Sequence, residues 1–251
     1  MILPGRIGHL KGLILPKIYT DSFMQDYKKE AARAAVPSIR PGSTIGFGAG
    51  TTIAHLIGFI KEDAALAASL YTVTSSFTTR LLLEKSGLPV KEMGATVSID
   101  QYFDGCDQFD VALNALKSGG GIHTREKIAA SMAREFILLG DESKYVERLD
   151  GKYPLVIEVI PDALSLVLAR LPEIFEGAAP LIRMNDKTDG AAISGNGNYL
   201  IDCRFARFPE PGVLNEKIGL LPGVLEHSLF YGMAHKAILA GDQGTIIKTR
   251  S

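Results

Sequence analysis

Apolar and polar positions in the first two-thirds of the chain alternate between a helical and a strand-like rhythm. Met24 to Ser38, rich in Ala, Lys and Glu, reads as a helix, and Pro41-Gly42 turns the chain. Ser43 to Gly48 is a short apolar strand, and Thr51 to Ile60 is a second helix. Leu70 to Thr74 predicts a strand, followed by a helix through Arg80 and Glu84. Further strands are expected over Val90 to Met93 and up to Tyr102-Phe103-Asp104. A helix over Thr124 to Glu135 then runs into a wholly apolar strand, Phe136 to Leu139. Strands too apolar to face water, alternating with helices, argue for a parallel sheet covered on both faces.

The rhythm changes after Gly151. Tyr153 to Ile160 is strand-like, and Pro161 opens an apolar helix to Leu171, in the first-turn position that tolerates proline. Strand-like stretches follow around Leu181 to Met184 and Tyr199 to Phe205. They are separated by the turn-formers Asp189-Gly190 and Gly195-Asn196-Gly197-Asn198. A helix around Leu214 to Gly219 completes a small α+β unit. The last apolar segments, Val224 to Phe230 and Lys236 to Ala240, are expected to return to the first sheet.

Composition narrows the function classes. Hydrophobic residues make up 46% of the 251, enough for a sizeable core and too many for global disorder. The formal net charge of −1 lacks the basic surplus of a nucleic-acid binder and offers nothing to a membrane surface. Two cysteines, Cys106 and Cys203, are too few for a disulfide scaffold and are expected to be reduced thiols of a cytoplasmic protein. No apolar run approaches the ~20 residues of a membrane span. Met1 to Pro16 lacks the continuous apolar centre of a signal peptide and reads as an extension without assigned function.

Three stretches carry candidate chemistry. Gly46-Phe47-Gly48-Ala49-Gly50-Thr51-Thr52 lies where a strand meets a helix. Helix-start N–H groups lack intrahelical partners there, and with the helix dipole they make an anion site. A dinucleotide fingerprint would need a third glycine at Ile53 or Thr51, and a nucleotide P-loop would need Gly-Lys-Ser/Thr; neither is present. A phosphate monoester therefore fits better, against the plainer alternative of an empty tight turn. The second stretch is Asp104-Gly105-Cys106-Asp107. Carboxylates held close compete for charge, so one can stay protonated and shuttle protons. A divalent metal site and a simple polar turn are the other uses of such a pattern. The third is Lys117-Ser118-Gly119-Gly120-Gly121, then Thr124-Arg125-Glu126-Lys127. Three glycines permit close approach of backbone to ligand. Thr124 is expected to cap the next helix, placing Glu126 in its first turn.

In this order the three stretches resemble the ribose-5-phosphate isomerase family, type A. Its signature of an Asp-Gly-Ala-Asp-Glu turn, Lys-Gly-Gly-Gly and Arg-Glu-Lys matches Asp104 to Gln108, Lys117 to Gly121 and Arg125 to Lys127. Its Gly-Thr-Gly-Ser-Thr loop matches Gly48 to Thr52, and its helix lysine matches Lys28. Asp141-Glu142-Ser143-Lys144 and Glu158-Val159-Ile160-Pro161 match two further segments, so the resemblance runs from about Met24 to the C-terminus.

The resemblance implies an α/β fold: a Rossmann-like, mostly parallel sheet domain over 24–150 and 223–251, after an extension of 1–23. A smaller ferredoxin-like α+β domain would be inserted over 151–222. It implies interconversion of ribose 5-phosphate and ribulose 5-phosphate through an enediol, without metal or organic cofactor. Glu126 matches the base, Lys117 the group facing the carbonyl oxygen, and Asp104 and Asp107 the pair handling hydroxyl protons and ring opening. Lys28, Gly48, Gly50, Thr51, Thr52, Gly119, Gly120 and Lys144 match the substrate-binding set. Family members are commonly dimers or tetramers, so a homodimer or homotetramer is expected.

The chain departs from the pattern at Gln108, Ala49, Ser118, His123 and Ser228, and Ser194-Gly195 replaces Thr-Asp. His123 is either neutral or shapes the substrate site. Two other functions compete: the same mechanism on another phosphorylated aldose, and a non-catalytic sugar-phosphate sensor.

Overall fold

The structure, a computed structural model, describes residues 26–250. The expected extension and the start of the first expected helix at Met24 lie outside them. In chain order the elements are α1 (Tyr27–Ala35), β1 (Thr44–Phe47), α2 (Thr51–Glu62), α3 (Ala64–Ser69), β2 (Tyr71–Thr74), α4 (Phe77–Lys85) and β3 (Ile99–Asp104). There follow β4 (Gln108–Phe109), β5 (Ala115–Leu116), α5 (His123–Met132), β6 (Ala133–Asp141), β7 (Leu155–Val159) and α6 (Leu164–Ile174). The chain closes with β8 (Ala178–Ile182), β9 (Tyr199–Phe205), α7 (Pro211–Gly219), β10 (Val224–His227), β11 (Leu229–Phe230), β12 (Lys236–Gly241) and β13 (Gly244–Thr249).

The main sheet runs β13-β12-β6-β3-β1-β2, parallel except for the edge strand β13. Its central strands β1, β3, β6 and β12 are buried on both faces over most of their length, which is why they read as continuous apolar runs. Phe103, Ile137 and Leu139 point into one cluster with Ile53, Leu56 and Ile57 of α2. Their neighbours Tyr102, Phe136 and Leu138 point into a second cluster on the other face. From β1 the chain goes to β2 on one side and later to β3 on the other, so a switch point lies between β1 and β3.

The second sheet, β10-β7-β9-β8, is antiparallel, and its β-α-β-β-α-β order is ferredoxin-like. Leu155, Ile157 and Val159 of β7 pack on α6 and α7. Strand periodicity turns Val156 and Glu158 to the opposite face.

Several expectations need correction. Val224 to Phe230 does not return to the first sheet. Ser228 interrupts it, so β10 joins β7 and β11 pairs with β5 in a small third sheet. The Ser228 N–H donates to Val156 O (2.8 Å), its hydroxyl accepts from Val156 N (2.9 Å), and its carbonyl accepts from Lys117 N (3.0 Å). Val90 makes one bridge, to Thr72, and Met93–Ala95 is a 3-10 turn, so no strand forms there. Arg134 and Glu135 belong to β6, not to the preceding helix. The strand expected at Leu181 to Met184 ends at Ile182.

Candidate active site

The carboxyl ends of β1, β3 and β6 meet at a cavity of about 380 Å³, where ligands bind in open α/β sheets. Lys28, Gly50, Thr51, Thr52, Asp107, Lys117, Gly119, Gly120, Glu126 and Lys144 all line it. Gly48 and Asp104 do not. They lie packed against each other beneath the loop after β1, where a Cβ on Gly48 would stand 1.9 Å from Asp104 Cγ. Gly50 sits at φ 100°, a left-handed conformation open to glycine, and precedes α2 without any side-chain cap. The helix start is thereby left open toward the cavity.

Asp104 is fully buried and saturated with donors. Its Oδ1 accepts from the N–H groups of Gly105 (2.8 Å) and Ala49 (3.2 Å). Its Oδ2 accepts from the Tyr102 hydroxyl (2.7 Å) and Lys117 Nζ (2.8 Å). Lys117 Nζ also donates to Gly105 O (2.6 Å) and stands 3.4 Å from Glu126 Oε1. Burial pulls the Lys117 pKa down, but the carboxylates of Asp104 and Glu126 outweigh it and hold the ammonium above its ordinary range. For Glu126, burial pushes the carboxyl up to about 8, and the charge of Asp104 adds to the push while Lys117 opposes it. Asp104 and Glu126 thus share one cation, Lys117, and the charge of Asp104 disfavours that of Glu126.

Asp107 faces the cavity, and its Oδ2 accepts from Ser118 N (2.5 Å). Ser118 donates its hydroxyl to Pro154 O (2.5 Å), and its carbonyl accepts from Arg183 (2.8 Å), which is paired with Asp202. The glycine run after Lys117 is thus held by polar contacts instead of regular structure. Burial pushes the Cys106 thiol up to about 12, so it stays protonated.

Thr124 does not cap α5. The helix begins one residue earlier, at His123, and the Thr124 hydroxyl donates to Glu158. His123 is fully buried, its Nε2 is 3.3 Å from Glu226 O, and burial pulls its pKa down to about 4. It lines no part of the cavity. Gln108 is also structural, with Oε1 accepting from Asp150 N (3.0 Å). Sequence reasoning missed Gly105, Leu139 and Gly140 in the lining, and Tyr102 behind Asp104. The signal for Leu139 and Gly140 was position: both stand at the carboxyl end of a parallel strand.

Gly195 stands where the resembled pattern has aspartate. A Cβ there would lie 3.8 Å from Arg125 Cζ, and the backbone is outside the left-handed region. Gly195→Asp is expected to add an ion pair with Arg125 and to lower the conformational entropy of the unfolded chain, together worth about 1 kcal/mol or roughly 2–4 °C in Tm. A melting curve in low salt that shows no rise would contradict this.

Comparison with known proteins agrees with the geometry. The family model described as Ribose 5-phosphate isomerase A (phosphoriboisomerase A) matches residues 71–244. Ribose-5-phosphate isomerase A of Thermosynechococcus vestitus is 34% identical over 225 residues, 89% of this chain and 94% of the relative. The enzyme of the same name from Methanothermobacter thermautotrophicus is 36% identical, over 86% of this chain and 95% of its own. Among solved structures, a D-ribose-5-phosphate isomerase in complex with phospho-erythronic acid superposes with a TM-score of 0.83 at 32% identity. That match covers 89% of this chain and 97% of the other. Ribose 5-phosphate isomerase A of Methanocaldococcus jannaschii gives a TM-score of 0.81 at 32% identity, over 88% and 97% of the two chains.

Proposed function

The chain belongs to the ribose 5-phosphate isomerase A family and is an enzyme interconverting ribose 5-phosphate and ribulose 5-phosphate, and from that premise we propose how its residues divide the reaction. Glu126 takes the proton from C2 of the open-chain aldose. The electron pair left on C2 forms the C1–C2 double bond, and negative charge moves to O1. Lys117 stabilises that charge, which is strongest in the transition state. Glu126 returns the proton to C1 while the O2 hydroxyl gives up its own, which Asp107 passes to O1, so that C2 becomes the carbonyl and O1 a neutral hydroxyl. Asp107, on the cavity wall, exchanges the hydroxyl protons and assists ring opening. Asp104, beneath the wall, keeps Lys117 charged and aimed.

The phosphate sits on the open start of α2, held by Gly50, Thr51 and Thr52 with Lys28 and Lys144. Gly119 and Gly120 let backbone approach the sugar. Gly48 serves by making room for Asp104. Binding energy from the phosphate orients the reacting end. The observation that carries this assignment is the 3.4 Å contact between two buried, cavity-lining groups, the Lys117 ammonium and the Glu126 carboxyl.

The test follows from the sign of the Glu126 shift. A base works deprotonated, and the Glu126 carboxyl is pushed up to about 8. In the free enzyme kcat/KM should therefore rise about tenfold per pH unit below that value and level off above it. A profile flat between pH 5 and 9 would remove Glu126 from the role of base.

The same proposal includes two units, 24–150 with 223–251 and the inserted 151–222, and a homodimer or homotetramer in the cytoplasm. The exposed edge of the second sheet, with Leu181 and Met184, supports assembly. A monomeric mass by light scattering would overturn the oligomer. Among the described residues no helix is long and apolar enough to cross a membrane.

A further inference from the structure

Glu158 is a fully buried carboxylate that lines no part of the cavity. It lies on β7, on the face turned away from the apolar cluster of the second sheet. Its Oε2 accepts from the Thr124 hydroxyl, and its Oε1 from Ser194 Oγ (2.6 Å), Asn198 Nδ2 (2.9 Å) and Asn196 Nδ2 (3.0 Å). Those donors outweigh burial and hold its carboxyl below the ordinary carboxylate range. With four donors in place it has no capacity left for substrate. Burying a charge is costly, and an apolar side chain would serve stability as well.

Every one of those donors leads to α5 or to a turn that grips it. Thr124 is the second residue of the helix. The Ser194–Asn198 turn takes the next residue, Arg125, through Asn196 Oδ1 (3.1 Å) and Gly195 O (3.2 Å). On the other side of Glu126, Lys127 Nζ meets Glu226 Oε1 of β10 at 2.7 Å. Both neighbours of Glu126 in the chain are therefore held by the ferredoxin-like unit, whereas Asp104, which aims Lys117, stands on the main sheet. No side chain caps α5, so the helix itself does little to fix its first turn.

We propose that Glu158 is a positioning residue for the proton transfer: through Thr124 and the Ser194–Asn198 turn it sets where α5 begins, and hence the gap between Glu126 and Lys117. This rests on the assignment of Glu126 as base. The motifs Glu158-Val159-Ile160-Pro161 and Ser194-Gly195-Asn196-Gly197-Asn198, which do not line the cavity, thereby acquire a common purpose.

The experiment compares full-length Thr124→Val, Thr124→Ser, Asn196→Ala and Glu126→Gln with the parent on ribose 5-phosphate. Thr124→Val removes the hydroxyl and keeps the volume. Its kcat should fall about 10–100-fold with KM within about threefold, since a misplacement near 1 Å costs on that order. The acid limb of its kcat/KM profile should move to lower pH as Glu126 becomes less enclosed. Thr124→Ser should recover to within about threefold of the parent, and the exposed Asn196→Ala should lose about 3–10-fold in kcat. Parent kcat in Thr124→Val beside an inactive Glu126→Gln overturns the positioning role alone. Parent activity in Glu126→Gln instead overturns the base assignment. If Thr124→Val does not fold, Asn196→Ala decides, and parent kcat with an unmoved pH profile there overturns the proposal.

Discussion

Glu126→Gln is expected to lower kcat by about three orders of magnitude while leaving the protein folded. The amide keeps the size of the side chain and still offers an oxygen to Lys117 Nζ, 3.4 Å away. It cannot take a proton from carbon. Stability should not suffer, and the sign of the pKa shift says why. The folded-state pKa is raised from 4.5 to about 8, so between those values the native state holds a proton that the unfolded state has lost. Stability from this group is present below 4.5 and is lost as pH rises to about 8. The Gln variant has no such loss, so its stability relative to the parent should grow from pH 5 to pH 8. Two measurements check this: release of deuterium from C2-labelled substrate into water, and urea midpoints at both pH values. Deuterium release at the parent rate would remove Glu126 from the chemistry.

Lys117→Met is expected to cost both activity and stability. The variant loses the cation facing the developing oxyanion, a contribution of about 10²–10³ in rate. It also leaves Asp104, fully buried, with three neutral donors and no counter-charge. Removing one partner of a buried pair costs about 3 kcal/mol, roughly 6–12 °C in Tm for a chain of this size. Glu126, deprived of the one neighbour that lowers its pKa, should titrate higher still, so the acid limb of the kcat/KM profile should move to higher pH than in the parent. Calorimetry and the pH profile report these effects separately. A Lys117→Met protein as stable as the parent would contradict the account of Asp104 as a charge that needs its partner. The contrast between the two variants is diagnostic: one side of the contact is there for chemistry alone, the other for chemistry and folding.

The apolar runs at Ser43 to Gly48 and Phe136 to Leu139 were legible as main-sheet strands because burial on both faces leaves a local compositional mark. The glycine loop was legible for a similar reason. A strand running into a helix through Gly48 and Gly50 needs a tight approach and a left-handed residue, and only glycine supplies both. Lys117, Glu126 and Asp107 were identifiable by residue type and order, and the structure brings them to one cavity.

The tertiary structure alone decided which groups meet. Asp107 is the nearer carboxylate to Asp104 in sequence, yet Glu126, from α5, is the one that shares Lys117 with it, because the fold packs α5 beside the end of β3. Thr124 has the composition of a cap, and its hydroxyl instead goes to Glu158 on another sheet, a stronger acceptor than a helix start is a donor. Val224 to Phe230 has the composition of one strand, and Ser228 divides it between two sheets by hydrogen bonding to Val156 and Lys117. In each case the local pattern says what kind of element or group a residue can be. Long-range pairing, which must satisfy every buried donor and acceptor at once, selects the partner, and sequence periodicity carries no record of that choice.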